Sequence, residues 1–169
     1  MSHRLFTRPP APLALRLLLW LAVAAWMWVI FAFSAQTGES SSGLSGRIAA
    51  VLSRWLFDTD WNALEPSRQQ LLEFALRKTA HFCEYALLGF LWAAALKAQG
   101  ASRQGMLLAP LAGLVYAGAD EWHQSLVPGR SPGLRDVAID FCGVLAGVIF
   151  LCLCAALAGW LAQKKGRRA

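Results

Sequence analysis

The sequence predicts an all-α membrane protein with four transmembrane helices and one or two interfacial helices in the first outer loop. Three observations carry that expectation. The 169 residues are 57% hydrophobic and only 15% charged, with mean hydropathy +0.44, whereas soluble domains carry roughly 25% charged residues. Apolar runs approaching the roughly 20 residues that span a bilayer recur four times, at about 13–33, 79–96, 106–120 and 137–162. The charges also sort by side once those runs are treated as spans. Disorder is excluded by the eight Trp, nine Phe and long apolar runs. Four scattered Cys in a chain of this length exclude a disulfide scaffold.

Residues 1–12 form a basic tail, and His3 within it has no assigned role. The first span is uncharged after Arg16. It is too long for a signal-peptide core, and Phe33-Ser34-Ala35 sets Phe where a cleavage site wants a small residue, so a retained anchor is expected. In the loop that follows, residues 38–46 are Ser/Gly-rich and read as a flexible turn. Leu44, Ile48, Val51, Leu52, Trp55 and Leu56 then recur at helical spacing opposite Arg47, Ser53 and Arg54, which predicts an amphipathic helix lying in the outer interface. Pro66-Ser67 marks a second helix start, from which one helix is expected to run through Lys78 into the second span. The third span is the shortest and must borrow a turn or sit where the bilayer thins. The fourth is long, and its one internal charge is Asp140; a basic tail, 164–169, follows it.

With four spans, the N-terminal tail, the 97–105 loop and the C-terminal tail share one side. That side carries nine basic residues and no acid: Arg4, Arg8, Arg16, Lys97, Arg103, Lys164, Lys165, Arg167 and Arg168. The other carries seven basic residues and all ten acids. The positive-inside rule then places both termini in the cytoplasm of a multi-pass inner-membrane protein. The same placement explains the net charge of +6 without nucleic acid as a partner. Cys83, Cys142, Cys152 and Cys154 all fall in spans, where free Cys behaves as a small hydrophobe.

Ionisable groups in a bilayer cost about 2.5–3.5 kcal/mol each at a helix centre and are kept where they pair or line a wet cavity. Every such group here sits at the outer end of a span. The first span ends in Ser34-Ala35-Gln36. Lys78, His81 and Tyr85, spaced three and four apart, form one stripe of the second, with Glu84 on its flank. The third ends in Asp120-Glu121-Trp122-His123-Gln124. In the fourth, Asp136 and Asp140 share a face with Gly143 and Gly147, whose size allows a neighbouring helix to come close. A tight loop at 127–133 delivers Arg130 to the same surface. The topology thus gathers distant residues into one outward-facing pocket.

These residues resemble the VanZ-like membrane proteins. The resemblance lies in Ser34 and Gln36 after an aromatic helix, Lys78-x-x-His81-x-x-x-Tyr85-x-x-x-Gly89, Asp120-Glu121-x-x-Gln124, and Arg130 followed by Asp136 and Gly143. Two positions depart from the pattern: Asp140 stands where Asn is common, and Gly133 where Ser is common. The resemblance implies a four-helix bacterial inner-membrane protein, here over about 13–163, of a family whose namesake is linked to low-level teicoplanin resistance. It implies no particular reaction.

Read as chemistry, His81, Asp120 and Asp140 are the candidates for handling protons, because crowded carboxylates and a histidine can share them. Lys78 and Arg130 are candidate anion contacts, Arg in a bidentate manner and Lys as a point charge. Gln36, Glu84, Tyr85, Glu121, Gln124 and Asp136 complete the expected binding set. The bland alternative is that Asp120 and Asp140 pair internally with Lys78 or Arg130 while Asp136 favours a helix N-terminus. His81, Glu84, His123 and the aspartates suit a divalent metal chemically, but His-x-x-Glu occurs only once, so no metal or other cofactor is expected. The leading expectation is a site for an anionic headgroup of a membrane lipid or polyprenyl-linked cell-wall precursor. An accessory scaffold is the second reading. An ion-coupled transporter is the third; it would require a homo-oligomer, and the inner half of every span lacks a polar station. Whether the site catalyses is left open by the residues alone.

Overall fold

A computed structural model describes residues 5–131 and 133–167; His3, Arg4 and Arg168 of the sequence reading lie outside them. The described residues form five α-helices: α1 Leu13–Ser34, α2 Gly38–Phe57, α3 Pro66–Ala98, α4 Leu108–Gln124 and α5 Leu134–Gly166. Three of them, α1, α3 and α5, are long and apolar enough to cross a membrane. The fourth expected span is shorter: α4 has 17 residues, and a 3-10 turn at Gly105–Leu107 precedes it.

Local chemistry accounts for most boundaries. Pro66 occupies the first turn of α3, where a missing N–H costs nothing. The helix then continues without a break for 33 residues, roughly 50 Å, so the outer-loop helix and the second span are one element. In α5, Gly133 is extended, its carbonyl accepts the Asp136 N–H at 2.8 Å, and Asp136 complements the helix N-terminus.

The Ser/Gly-rich stretch 38–46 is not a turn but the first half of α2. Thr37 caps it by accepting the Ser40 N–H on its hydroxyl at 3.3 Å, and Glu39 sits in the first turn. Small residues are retained there because this side packs closely: Ser45, Ala49 and Ser53 are buried. Leu44, Ile48, Val51 and Trp55 are exposed instead, Trp55 by 86%.

Contacts fix the helix directions. Tyr116 Oη donates to the Met27 carbonyl at 2.6 Å, and the rings of Phe31 and His123 lie 4.6 Å apart, so α1 and α4 run together. Trp26 Nε1 donates to the Glu84 carbonyl, and Arg16 to Gln99, so α3 runs the opposite way. On α5, a Cβ at Gly143 would strike the Phe82 carbonyl, and one at Gly147 the Ala86 carbonyl, which sets α5 parallel to α3 with backbones almost touching. Tyr85, Leu88, Trp92, Ala93, Ala117 and Val144 fill the centre. The outer surface is apolar as well, with Leu21, Trp28, Val115, Phe150 and Leu153 all largely exposed. A bundle that is apolar inside and out is the arrangement expected of a chain solvated by lipid.

One end gathers the C-terminus of α1, the start of α2, the middle of α3, the end of α4, loop 125–133 and the start of α5. All ten acids belong to this end by sequence. The other end gathers the residues before α1, the α3–α4 connection and the second half of α5.

Candidate functional site

A cavity of about 360 Å³ opens at the acidic end, between α2 and the α1–α3–α4 bundle. Gln36, His81, Glu84, Asp120 and Arg130 line it, all expected from the sequence. Ser34 and Arg77 line it too. Leu44 and Ile48 of α2 and Leu76 of α3 supply an apolar wall. Because the 38–46 stretch reads as a turn, the contribution of α2 is invisible in the sequence alone.

Arg130 reaches back from its loop to the end of α1. Its Nε donates to the Gln36 carbonyl at 3.0 Å, and a terminal nitrogen donates to the Phe33 carbonyl at 3.1 Å. These carbonyls lie at and just beyond the C-terminus of α1, where a cation is favourable. Among the described residues no carboxylate lies within ion-pair distance of Arg130. Burial, followed by the neighbouring positive charge of Arg77, holds its guanidinium below the ordinary arginine range, while Asp120, Glu121 and Glu84 oppose that effect. Two guanidinium groups therefore share one cavity and repel.

Lys78, one residue along α3 from Arg77, is placed differently. Its Nζ pairs with Asp136 Oδ1 at 2.5 Å and lies 5.4 Å above the Phe74 ring. A step of one residue turns a side chain by about 100° around a helix, so Arg77 faces the cavity while Lys78 faces α5.

Behind the cavity sits a second layer of polar groups. Asp140 is fully buried, and neither of its oxygens has a hydrogen-bond partner. His81 Nδ1 lies 3.6 Å from Asp140 Oδ1, beyond hydrogen-bond distance, and is likewise unpartnered. Tyr85 is also fully buried and is not part of the cavity lining. Asp120 is an electrostatic neighbour of its hydroxyl without completing a hydrogen bond. Buried polar groups without partners are costly, about 1–3 kcal/mol each, and demand a reason.

The remaining expected residues hold the frame. Gln124 donates to Asp120 Oδ2 at 3.1 Å, which orients that carboxylate. Glu121 Oε1 accepts the Gly133 N–H at 2.7 Å and anchors the loop carrying Arg130. The structure thus separates the candidates into cavity walls, a buried layer behind them, and a set of pairings that position both. No group of three or more metal-ligating side chains gathers among the described residues.

An apolar helical bundle with an ionisable cavity at one end defines a polytopic class of membrane protein. The family model VanZ/LLP1 matches residues 19–155, and the chain belongs to that family. Compared with curated proteins and with solved structures, the chain has no match.

Proposed function

We propose that the cavity receives an anionic headgroup, that of a membrane lipid or a polyprenyl-linked cell-wall precursor, at the outer face of a bacterial inner membrane. In this reading α1, α3, α4 and α5 all cross the bilayer with both termini in the cytoplasm, and α2 lies in the outer interface with Val51 and Trp55 toward lipid. The observation that carries it is the presence of Arg77 and Arg130 in one cavity beside an apolar wall. A phosphate or pyrophosphate relieves the repulsion between two guanidinium groups and satisfies their donors, while the wall accepts a hydrocarbon chain.

Ser34 and Gln36 then contact the uncharged part of the headgroup. His81, Asp120 and Asp140 move protons where the bound group is processed, and a link to teicoplanin tolerance follows if that group belongs to cell-wall synthesis. Lys78, Asp136, Glu121 and Gln124 serve by holding this geometry, and Tyr85 backs it. Their pairings are also the observation that favours a second reading, a non-enzymatic accessory protein whose polar end locks the bundle.

Native mass spectrometry of the detergent-solubilised protein with added polyprenyl phosphate tests the proposal. The wild type is expected to carry the lipid, and Arg77→Gln/Arg130→Gln to bind it about tenfold or more weakly. Equal binding by the two would overturn it.

A further inference from the structure

The basic end of the bundle holds a second cavity, of about 410 Å³, lined by Arg8, Lys97 and Arg103 together with Met106, Leu151 and Ala155. It lies far from the acidic end, so neither Arg77 nor Arg130 takes part. Three features distinguish it from a merely positive surface.

First, Arg8 is not on a free tail. The segment before α1 is strapped across the α3–α4 connection: the Thr7 and Arg8 N–H groups donate to the Gly100 carbonyl at 3.0 and 3.1 Å, and Ser102 N–H donates to the Leu5 carbonyl at 2.8 Å. The Ala11 N–H closes on the Ala98 carbonyl at 2.8 Å. The close approach requires glycine at two places. Gly100 has φ +84°, and a Cβ there would strike the Arg8 carbonyl; one at Gly105 would strike that of Leu5. Second, the three cations have no carboxylate within ion-pair distance among the described residues. The sequence explains why, since no acid occurs in 1–38, 85–119 or 141–169. Third, the apolar part of the lining comes mostly from α5, whose neighbouring Leu153 and Leu157 face outward at 63% and 57% exposure.

We propose that this cavity is a binding site for an anionic phospholipid of the leaflet at the basic end, its phosphate between Arg8, Lys97 and Arg103 and its first acyl carbons along Met106, Leu151 and Ala155. Juxtamembrane cations gain from anionic lipid individually; here a folded strap brings three of them to one cleft beside an apolar floor. The lipid would tie the N-terminal strap, the α3–α4 connection and α5 together.

The test uses the full chain in phosphatidylcholine nanodiscs containing a minor fraction of phosphatidylglycerol with a photoreactive group high on one acyl chain. Peptide mapping after illumination is expected to find adducts at 103–106 and 151–156, reduced about tenfold or more in Arg8→Gln/Lys97→Gln/Arg103→Gln. All three substituted side chains are exposed, so the fold is retained. Lys164→Gln/Lys165→Gln removes charge from the same end outside the cavity and is expected to keep the adducts. Equal loss in both variants would reduce the effect to general surface charge and overturn the proposal. So would labelling spread evenly over the outward faces of α1 and α4, or displacement of the lipid by inorganic phosphate, which would make free phosphate the occupant.

Discussion

Two acid–base pairs sit one turn apart on the same two helices and differ in almost every respect. Lys78 and Asp136, at the rim, are in contact at 2.5 Å and about a fifth exposed. His81 and Asp140, one turn deeper, stand 3.6 Å apart with Asp140 wholly buried and its oxygens unpartnered. Gly143 seats α5 against the Phe82 carbonyl beside the inner pair, and Gly147 seats it against Ala86 one turn deeper. The outer pair is complete within the protein, as a structural lock is; the inner pair retains unused hydrogen-bonding capacity next to a cavity, as a site does. Under the proposed function, structural pairing and the site occupy successive turns of one seam.

The contrast is broken most severely at the outer pair. Lys78→Met leaves a mostly buried Asp136 alone and is expected to destabilise the protein by about 2–3 kcal/mol, somewhat less than for a fully buried pair. Adding Asp136→Leu should restore most of that loss, because replacing both partners removes the orphan. Thermal unfolding in detergent measures both variants. A double variant as unstable as the single one would assign Lys78 a role beyond its partner.

A third pair sets the lower limit. Arg54 and Asp60, between α2 and the loop after it, touch at 2.6 Å but are 73% and 71% exposed. Solvent and salt screen such a pair, so Arg54→Ala is expected to leave the unfolding temperature unchanged within error. A drop comparable with that of Lys78→Met would mean that α2 is held by this contact rather than by its buried Ser45, Ala49 and Ser53 face.

Much of this was legible in the sequence. Helical spacing placed Lys78, His81 and Tyr85 on one stripe and Asp136 and Asp140 on another, and the segregation of acids to one end located the cavity. Three things were not legible. Residues 38–46 look like a turn because Gly and Ser disfavour helices on their own, yet a Thr37 cap and close packing make them one. Arg77 and Lys78 are chemically alike and adjacent, so only the rotation of α3 decides which faces the cavity. Tyr85 shares its stripe with Lys78 and His81 and so reads as part of the binding set, whereas the packing of α4 and α5 around α3 encloses it. Each depends on a neighbour distant in sequence.

If the proposed function holds, the inner pair serves binding and not stability. The most direct test is the unfolding temperature of Asp140→Asn in detergent, set beside binding of the polyprenyl phosphate by the same sample. Asn keeps the shape and replaces the carboxyl of a buried, unpartnered group with an amide that cannot ionise. The expected result is an unfolding temperature equal to or above the wild type, by about 1 kcal/mol of added stability, together with weakened binding. A fall of about 2 kcal/mol or more with binding intact would contradict it and make His81–Asp140 a second lock.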